Sequence, residues 1–229
     1  MKILGIDTSS EFLSIALSED KDIIAEEAHL LDRQHSSLLV PKISAMLRKA
    51  AISIRDVDAF VIGLGPGSFT GLRIGVSTVK GFGIATGRPC VGVPSIDALA
   101  LNAGKAAKTI VPVIDAKRKN LYSVIYKEEN GRIVRKSNYL LLGVDKLMKK
   151  VKGPAVFLGS GLGLYRKEIQ RFNKKALFLD EGYWYPRAGN LIRLARIRKD
   201  AKLTALQPMY LYPKDCQVKR GHNLRSRAT

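Results

Sequence analysis

The sequence predicts an α/β protein made of two similar lobes, each a mixed β-sheet with flanking helices. Two observations favour this fold class: a weak internal repeat that divides the chain near residue 105, and a glycine-rich turn between a strand and a helix that recurs in the second half. The repeat is clearest at residues 3–7 (ILGID) and 111–115 (VPVID), where an apolar strand ends in aspartate before a polar turn. Each lobe is therefore expected to begin with the same strand and turn.

The same succession of elements follows both of these strands. In the first half the expected elements are strands at 12–17 and 23–28, a helix at 36–51, a strand at 59–63 and a helix at 70–86. In the second half they are strands at 121–126 and 133–140, a helix at 144–151, a strand at 155–159 and a glycine-rich turn at 159–163. Two β-β-β-α-β-α units in one chain predict a duplicated actin/Hsp70-like fold (ASKHA, ribonuclease-H-like).

We expect three regions along the chain. An N-terminal lobe at 1–104 carries the two long helices, a smaller basic lobe occupies 105–213, and a basic, flexible tail occupies 214–229. No stretch rich in Pro, Gly or Ser separates the lobes, so they are expected to sit close together.

The segment at 59–73 (AFVIGLGPGSFTGLR) is the most informative part of the chain. Its continuous apolar run predicts a strand that is covered on both faces. Ser68 or Thr70 is expected to cap the helix that follows. The turn lacks the Gly-Lys-Ser/Thr ending of a Walker loop, which disfavours phosphate binding there. Four glycines form a structural glycine loop, and the first three are expected to supply positive φ values: Gly63, Gly65, Gly67 and Gly71.

The two long helices of the first lobe are unusually apolar. The helix at 70–86 carries two charged residues and four glycines, and the helix at 36–51 has a wide apolar stripe. One interpretation is that the helices simply pack together inside one domain. The other is that they present an apolar surface to another protein. In that case we expect these residues at the interface: Leu39, Ile43, Met46, Leu47, Leu72, Gly75, Val76 and Val79.

Composition bounds the class of protein. The chain has 229 residues, 46% of them hydrophobic, and no apolar run near the ~20 residues that a membrane-spanning helix needs. Its two cysteines, Cys90 and Cys216, lie far apart in the chain. This disfavours a disulfide framework and fits a reducing cytoplasm. We expect Cys90, at the end of a buried strand, to be a core residue rather than a nucleophile.

Charge is distributed unevenly along the chain. Residues 1–104 hold 10 Lys and Arg against 11 Asp and Glu, a net charge of −1, whereas residues 105–229 hold 29 against 9, a net charge of +20. This excess predicts a polyanionic partner such as RNA. The alternative is a basic surface common to the proteins of the organism, without a specific partner.

Five short motifs carry a family resemblance: GIDTS at 5–9, QHS at 34–36, GPGSFTGLR at 65–73, GVPS at 92–95 and PMYL at 208–211. They resemble the TsaB (YeaZ) family, the accessory proteins of bacterial tRNA threonylcarbamoyladenosine synthesis. The resemblance is strong over residues 1–100, fades across the second lobe and returns at 208–211. Tyr212 departs from the family pattern, which often has arginine at that position.

The resemblance implies a non-catalytic scaffold. In this family a catalytic TsaD-type paralogue transfers a threonylcarbamoyl group to adenosine beside the anticodon, and the TsaB-type subunit binds that paralogue as a pseudo-dimer. Together with a small TsaE-type ATPase, it supports the paralogue. The expected partners are thus the TsaD-type paralogue, the TsaE-type ATPase and, through the complex, tRNA. We also expect a homodimer when the chain is alone, a cytoplasmic location and no membrane association.

The resemblance also bears on catalysis. Catalytic paralogues carry a His-x-x-x-His metal pair in the helix that corresponds to 94–100, where this chain has Ser95 and Leu99. Neither side chain replaces imidazole as a ligand, so no metal and no catalytic residue are expected. His35, beside Ser36 at a helix start, is expected to pack there rather than to act in catalysis.

Two interpretations of Asp7, Thr8 and Ser9 stay open: a weak phosphate-binding turn, and the simpler alternative of a local Asx or Ser/Thr turn. No cofactor is expected in this chain alone, although a nucleotide at a subunit junction of the complex stays open. Two other functions also stay open: an independent small enzyme of this fold (a kinase, an ATPase or a peptidase), and a free-standing tRNA-binding protein.

Overall fold

Two mixed sheets with the same strand order form the framework of the protein. The computed structural model describes residues 1–31, 35–104, 108–195, 203 and 206–211, with the backbone alone for His35 and Ser36. The first sheet contains β1 (Lys2–Asp7), β2 (Phe12–Glu19), β3 (Asp22–Leu30), β4 (Ala59–Gly63) and β5 (Cys90–Val93), in the order β3-β2-β1-β4-β5. Strands β1, β2 and β3 pair antiparallel, whereas β4 and β5 run parallel to β1.

Two helices cover one face of the first sheet. They are α1 (His35–Lys49) and α2 (Phe69–Thr86), and their buried residues join those of β1, β2 and β4 in one core. The Oγ of Ser68 caps α2 by accepting a hydrogen bond from the Gly71 N–H at 3.2 Å. Gly87, with a φ of 69°, ends the same helix. Both long helices thus lie within a few residues of the positions that the sequence predicts.

The second sheet repeats the first. Its strands are β6 (Thr109–Asp115), β7 (Leu121–Ser123), β8 (Tyr126–Glu129), β9 (Arg132–Arg135), β10 (Leu140–Leu142), β11 (Ala155–Leu158) and β12 (Ala176–Phe178). The main path is β10-β7-β6-β11-β12, with β7 antiparallel and β11 parallel to β6. Order and directions match those of the first sheet, which confirms the predicted duplicated ASKHA-type fold.

The predicted third strand of the second lobe, at 133–140, is wrong. Strand β9 pairs with β8 in a hairpin, and β10 takes the third place in the sheet by pairing with β7. The predicted strand at 121–126 is likewise two strands, because the Ile125 N–H leaves the ladder and donates to the Ser137 Oγ at 3.0 Å. The second lobe is therefore the first-lobe pattern with one hairpin added.

The remaining helices complete five layers. Helices α4 (Val144–Lys150) and α5 (Leu162–Phe172) cover the outer face of the second sheet. Helices α3 (Ser95–Ala100) and α6 (Ala188–Leu194) lie between the two sheets. The order of layers is α1/α2, first sheet, α3/α6, second sheet, α4/α5. Since α6 packs on β1, β2 and β4, the region 105–213 is not a lobe by itself, and its last helix completes the first lobe.

A half-buried carboxylate, that of Asp97, ties α3 to the second lobe. The Tyr126 Oη donates to the Asp97 carboxylate at 2.5 Å, and the Tyr139 Oη donates to it at 2.9 Å. Burial, followed by the charge of Asp97, raises the pKa of both tyrosines. The lobes therefore contact each other directly, as expected from the absence of a linker.

Two further expectations from the sequence concern the C-terminal residues and membrane-spanning helices. Tyr212 and the tail at 214–229 lie outside the described residues. Within the part of the chain that is described, no helix combines the length and the apolar character needed to cross a bilayer.

Candidate partner-binding surface

The turn that follows β1 packs directly beneath α2. Asp7, Thr8 and Ser9 are all buried. The backbone N–H and the Oγ of Ser9 donate to the Asp7 Oδ1 at 2.9 and 2.6 Å, and the Thr8 Oγ1 donates to the Gly71 carbonyl at 2.8 Å. This is the hydrogen-bond pattern of an Asx turn. Of the two interpretations of these residues, the geometry favours the Asx turn over a phosphate-binding turn.

Most positions of the glycine loop require glycine because the loop packs closely against the turn that follows β1. A Cβ on Gly67 or Gly71 would overlap a backbone carbonyl oxygen of the β1 turn, and one on Gly63 would overlap the Asp7 carboxylate. Of the three glycines expected to supply positive φ values, only Gly65 does so, at 95°. The expectation for Gly63 and Gly67 is therefore wrong, and close approach of the chain requires glycine there instead.

The structure buries the side chains that the sequence places at the interface. Their exposed fractions are at most 5%, and the glycine among them is also buried: Leu39, Ile43, Met46, Leu47, Leu72, Gly75, Val76 and Val79. All of them except Leu72 and Gly75 belong to one core with buried residues of the first sheet. The prediction that these residues contact a partner is thus wrong, because helical periodicity finds the apolar stripe without telling whether a sheet or a partner covers it.

The opposite face of the same two helices is exposed and has few charges. On α2 a four-residue spacing brings Ser77, Gly81 and Ala85 to the surface, next to Ile84, which is 76% exposed. On α1, Val40 is 45% exposed. Small residues let a second helix approach closely, and the exposed aliphatic side chains offer apolar contacts. We call this the α1–α2 outer face.

An aromatic cluster lies at the start of α2. Phe69 and Tyr210 are 54% and 49% exposed, and their ring centroids lie 5.4 Å apart. The Arg73 guanidinium stacks 3.8 Å from the Phe69 ring centroid, and its Nε donates to the Tyr210 Oη at 3.2 Å. Exposed Arg and Tyr side chains held in place are frequent energetic centres of protein interfaces. No local sequence pattern connects these residues, since 137 positions separate Arg73 from Tyr210.

The two positions that correspond to the metal pair of catalytic paralogues serve packing. The Ser95 Oγ accepts a hydrogen bond from the Gly65 N–H at 2.9 Å, and the Ser95 N–H donates to the Gly65 carbonyl at 2.8 Å. Leu99 is fully buried in the core between the lobes. Ser95 therefore fixes the glycine loop, and Leu99 joins α3 to the second sheet.

The remaining candidates from the sequence are Cys90, a metal site and the QHS motif. Cys90 is buried, as expected, and burial raises the pKa of its thiol to about 11. Over the described ranges, no three His, Cys, Asp or Glu side chains converge in a way that fits a metal ion. The side chains of the QHS motif at 34–36 lie outside the description.

Comparison with known proteins identifies close relatives. A family model described as "TsaD: tRNA N6-adenosine threonylcarbamoyltransferase" matches residues 22–193. The tRNA threonylcarbamoyladenosine biosynthesis protein TsaB of Bacillus subtilis is 30% identical over 96% of this chain and 97% of its own length. TsaB of Escherichia coli is 32% identical over 70% of this chain and 72% of its own length.

Solved structures agree with these relatives. YeaZ from Pseudomonas aeruginosa superposes with a TM-score of 0.70 at 26% identity, and the match covers 84% of this chain and 89% of that one. Another crystal structure, of an uncharacterized Pseudomonas aeruginosa protein with similarity to peptidase YeaZ, gives a TM-score of 0.77 at 25% identity, covering 92% and 99% of the two chains. Sequence motifs, lobe topology and relatives agree, and the chain belongs to the TsaB (YeaZ) family.

Proposed function

We propose that this chain is the non-catalytic scaffold subunit of the machinery that forms N6-threonylcarbamoyladenosine beside the tRNA anticodon. It binds a catalytic TsaD-type paralogue through the α1–α2 outer face and stabilises the active arrangement of that subunit. The curated relatives are named for this biosynthesis. The observation that carries the proposal is the exposed, charge-poor surface of two helices whose other face is fully used by the chain's own core.

The shape of this surface suits a paralogue of the same fold. A partner with equivalent helices would pair with α1 and α2 about a pseudo-two-fold axis, so that each chain contributes two helices to a four-helix layer. Ser77 and Gly81 permit close approach of helices, Ile84 and Val40 supply apolar contacts, and Arg73 of the aromatic cluster supplies a polar anchor at one end. In the absence of the paralogue, the same surface pairs with a second copy.

The use of Ser95 and Leu99 supports the non-catalytic part of the proposal. Both side chains are buried and committed to the glycine loop and to the inter-lobe core. The remaining partners follow from the complex. The TsaE-type ATPase and tRNA assemble with the paralogue in the cytoplasm, and any nucleotide lies at a junction between subunits.

The test places a charge on the exposed face without touching the core. Ile84→Asp and Val40→Asp should each abolish co-elution with the TsaD-type paralogue in size-exclusion chromatography, because a carboxylate in an apolar interface loses hydration without gaining a partner. Both substituted positions are exposed, so thermal unfolding should be unchanged. Leu177→Asp on β12, at a side chain 63% exposed in the other lobe, is the matched control and should pair normally.

Reconstitution completes the test. With purified tRNA, the paralogue and the ATPase, formation of the modified nucleoside should require this chain and should fail with Ile84→Asp. Equal modification with and without the chain, or normal pairing by both aspartate variants, would contradict the scaffold proposal.

A further inference from the structure

The layer farthest from the α1–α2 outer face carries a compact group of cations. The last turn of α4 and the residues after it contribute Lys149, Lys150 and Lys152, and the last turn of α5 and the residues after it contribute Arg171, Lys174 and Lys175. All six are exposed. We call them the basic corner.

One asparagine brings the two halves of the corner together. The Asn173 Nδ2 donates to the Gly153 carbonyl at 2.9 Å, which joins the end of α5 to the turn after α4. The Asn173 Oδ1 accepts a hydrogen bond from the Lys175 N–H at 3.0 Å. Val151 and Ile169, one beneath each half, lie in the same buried core. The corner is thus a defined surface of the fold rather than two separate charge runs.

The six cations of the corner form no ion pair within the described structure. Residues 149–154 and 169–175 contain no Asp or Glu. Cations at the C-termini of helices interact favourably with the helix dipole, which accounts for Lys149, Lys150 and Arg171. Lys152 and the pair at 174–175 lie beyond the helix ends and have no such role.

An exposed aromatic ring lies among the cations. Phe172, next to Arg171, is 55% exposed at the end of α5. Cations that follow a phosphate backbone, with an aromatic side chain on which an unstacked base can lie, are the usual elements of an RNA-binding surface. An anionic membrane or an acidic protein would also attract these charges, and the test below distinguishes both from RNA.

We infer that the basic corner binds the phosphate backbone of RNA, and that Phe172 stacks on an unpaired base. Together with the proposed function, on which the identity of the RNA rests, this assigns a direct tRNA contact to the scaffold subunit. The corner and the α1–α2 outer face lie on opposite outer layers of the molecule, so both are accessible at once.

The test measures tRNA binding by the full chain alone as a function of salt. Two triple variants neutralise the corner, Lys149→Gln/Lys150→Gln/Lys152→Gln and Arg171→Gln/Lys174→Gln/Lys175→Gln. The control Lys108→Gln/Lys127→Gln/Arg132→Gln removes the same charge from exposed positions around the β8–β9 hairpin. Each corner triple should weaken binding at least tenfold at about 100 mM salt and flatten the log–log salt slope by about 2 to 3, since each lost phosphate contact removes about 0.9 from it. The control should stay within about twofold of the parent chain.

Phe172→Ala separates stacking from charge. It should weaken tRNA binding about fivefold or more without changing the salt slope. Equal weakening by the corner and control triples, or no weakening by the corner triples, would overturn the inference. So would corner triples that bind tRNA normally but no longer bind the paralogue or anionic vesicles. Pairing with the paralogue is measured separately through Ile84→Asp, so a failed corner and a failed scaffold role give different results.

Discussion

At Gly71 a single added carbon would overlap the Thr8 carbonyl oxygen, whereas at Gly81, further along the same helix, it would meet nothing within 4 Å. The two positions therefore form an internal comparison on α2. Both are glycines inside a helix, where alanine is intrinsically favoured by about 1 kcal/mol. Only at Gly71 does the contact with the β1 turn oppose that preference.

Opposite stability changes are expected from the two alanine substitutions. Gly71→Ala should lower the free energy of unfolding by about 2 kcal/mol, because the helix must move away from Thr8. Gly81→Ala should raise it by up to about 1 kcal/mol. Urea unfolding followed by circular dichroism measures both values. Destabilisation of equal size at the two positions, or no destabilisation at Gly71, would show that the Thr8 contact does not set the requirement for glycine.

The importance of the glycine loop could be predicted at the residue scale, but its physical cause could not. Spacing in sequence predicts tight turns, and Gly65 does supply a positive φ. The contacts that require Gly67 and Gly71 involve residues about 60 positions away, such as the Thr8–Gly71 hydrogen bond. No local pattern carries that information.

At the scale of single elements, α1 and α2 have one face buried in the core and one exposed face, the proposed partner-binding surface. Val76 and Leu39 lie on the core face, where 5% and 1% of their surfaces are exposed. A charge at either position would have to enter the core that packs on the first sheet. Loss of partner binding by such variants would therefore report unfolding rather than an interface.

Val76→Arg and Leu39→Asp should each destabilise the chain by about 3 to 5 kcal/mol, because they bury an unpaired charge. Differential scanning calorimetry should show a large fall in Tm or no folded transition. Ile84→Asp, on the exposed face of α2, should leave the transition in place. Native-like unfolding of Val76→Arg would indicate that the core face of α2 is available to solvent after all.

The sequence predicts the long elements well and the short ones of the second lobe poorly. Strand β4 has the predicted bounds, since its apolar run is bounded by clear turn residues. The β8–β9 hairpin was missed, although Asn130–Gly131 between two short strands is a strong hairpin signal. Both residues adopt positive φ, 52° and 76°, as a type I′ turn requires. The duplicated pattern predicts one third strand here, matching β3, and this expectation conflicts with the hairpin signal.

At the scale of the whole molecule, the order of the layers differs from the order of the sequence. Helix α6 comes from the second half of the chain but covers the inner face of the first sheet, with Leu191 and Ile192 buried against Ile3 and Val61. Sequence patterns gave no indication of this return, because the apolar stripe of a seven-residue helix fits either sheet. The first lobe is therefore incomplete without it.

A fragment of residues 1–104 should not fold by itself. Without α6 the inner face of the first sheet exposes a continuous apolar surface, and such faces cause aggregation. The fragment should lack dispersed NMR amide signals and should precipitate or bind a hydrophobic dye, whereas residues 1–195 should give a cooperative unfolding transition. A well-folded, monomeric 1–104 fragment would show that α6 adds little to the stability of the first lobe.

The late position of α6 also has a consequence for biosynthesis. During translation, the first sheet and both long helices are synthesised well before α6 at 188–194, the helix that covers the inner face of that sheet. The nascent chain therefore carries an uncovered apolar face from the completion of the first sheet at Val93 until α6 is synthesised, an interval in which such a surface favours aggregation. A stop codon between residues 94 and 187 would yield a chain that contains α1 and α2 but lacks the helix that covers the inner face of the first sheet, and such an exposed apolar face favours aggregation.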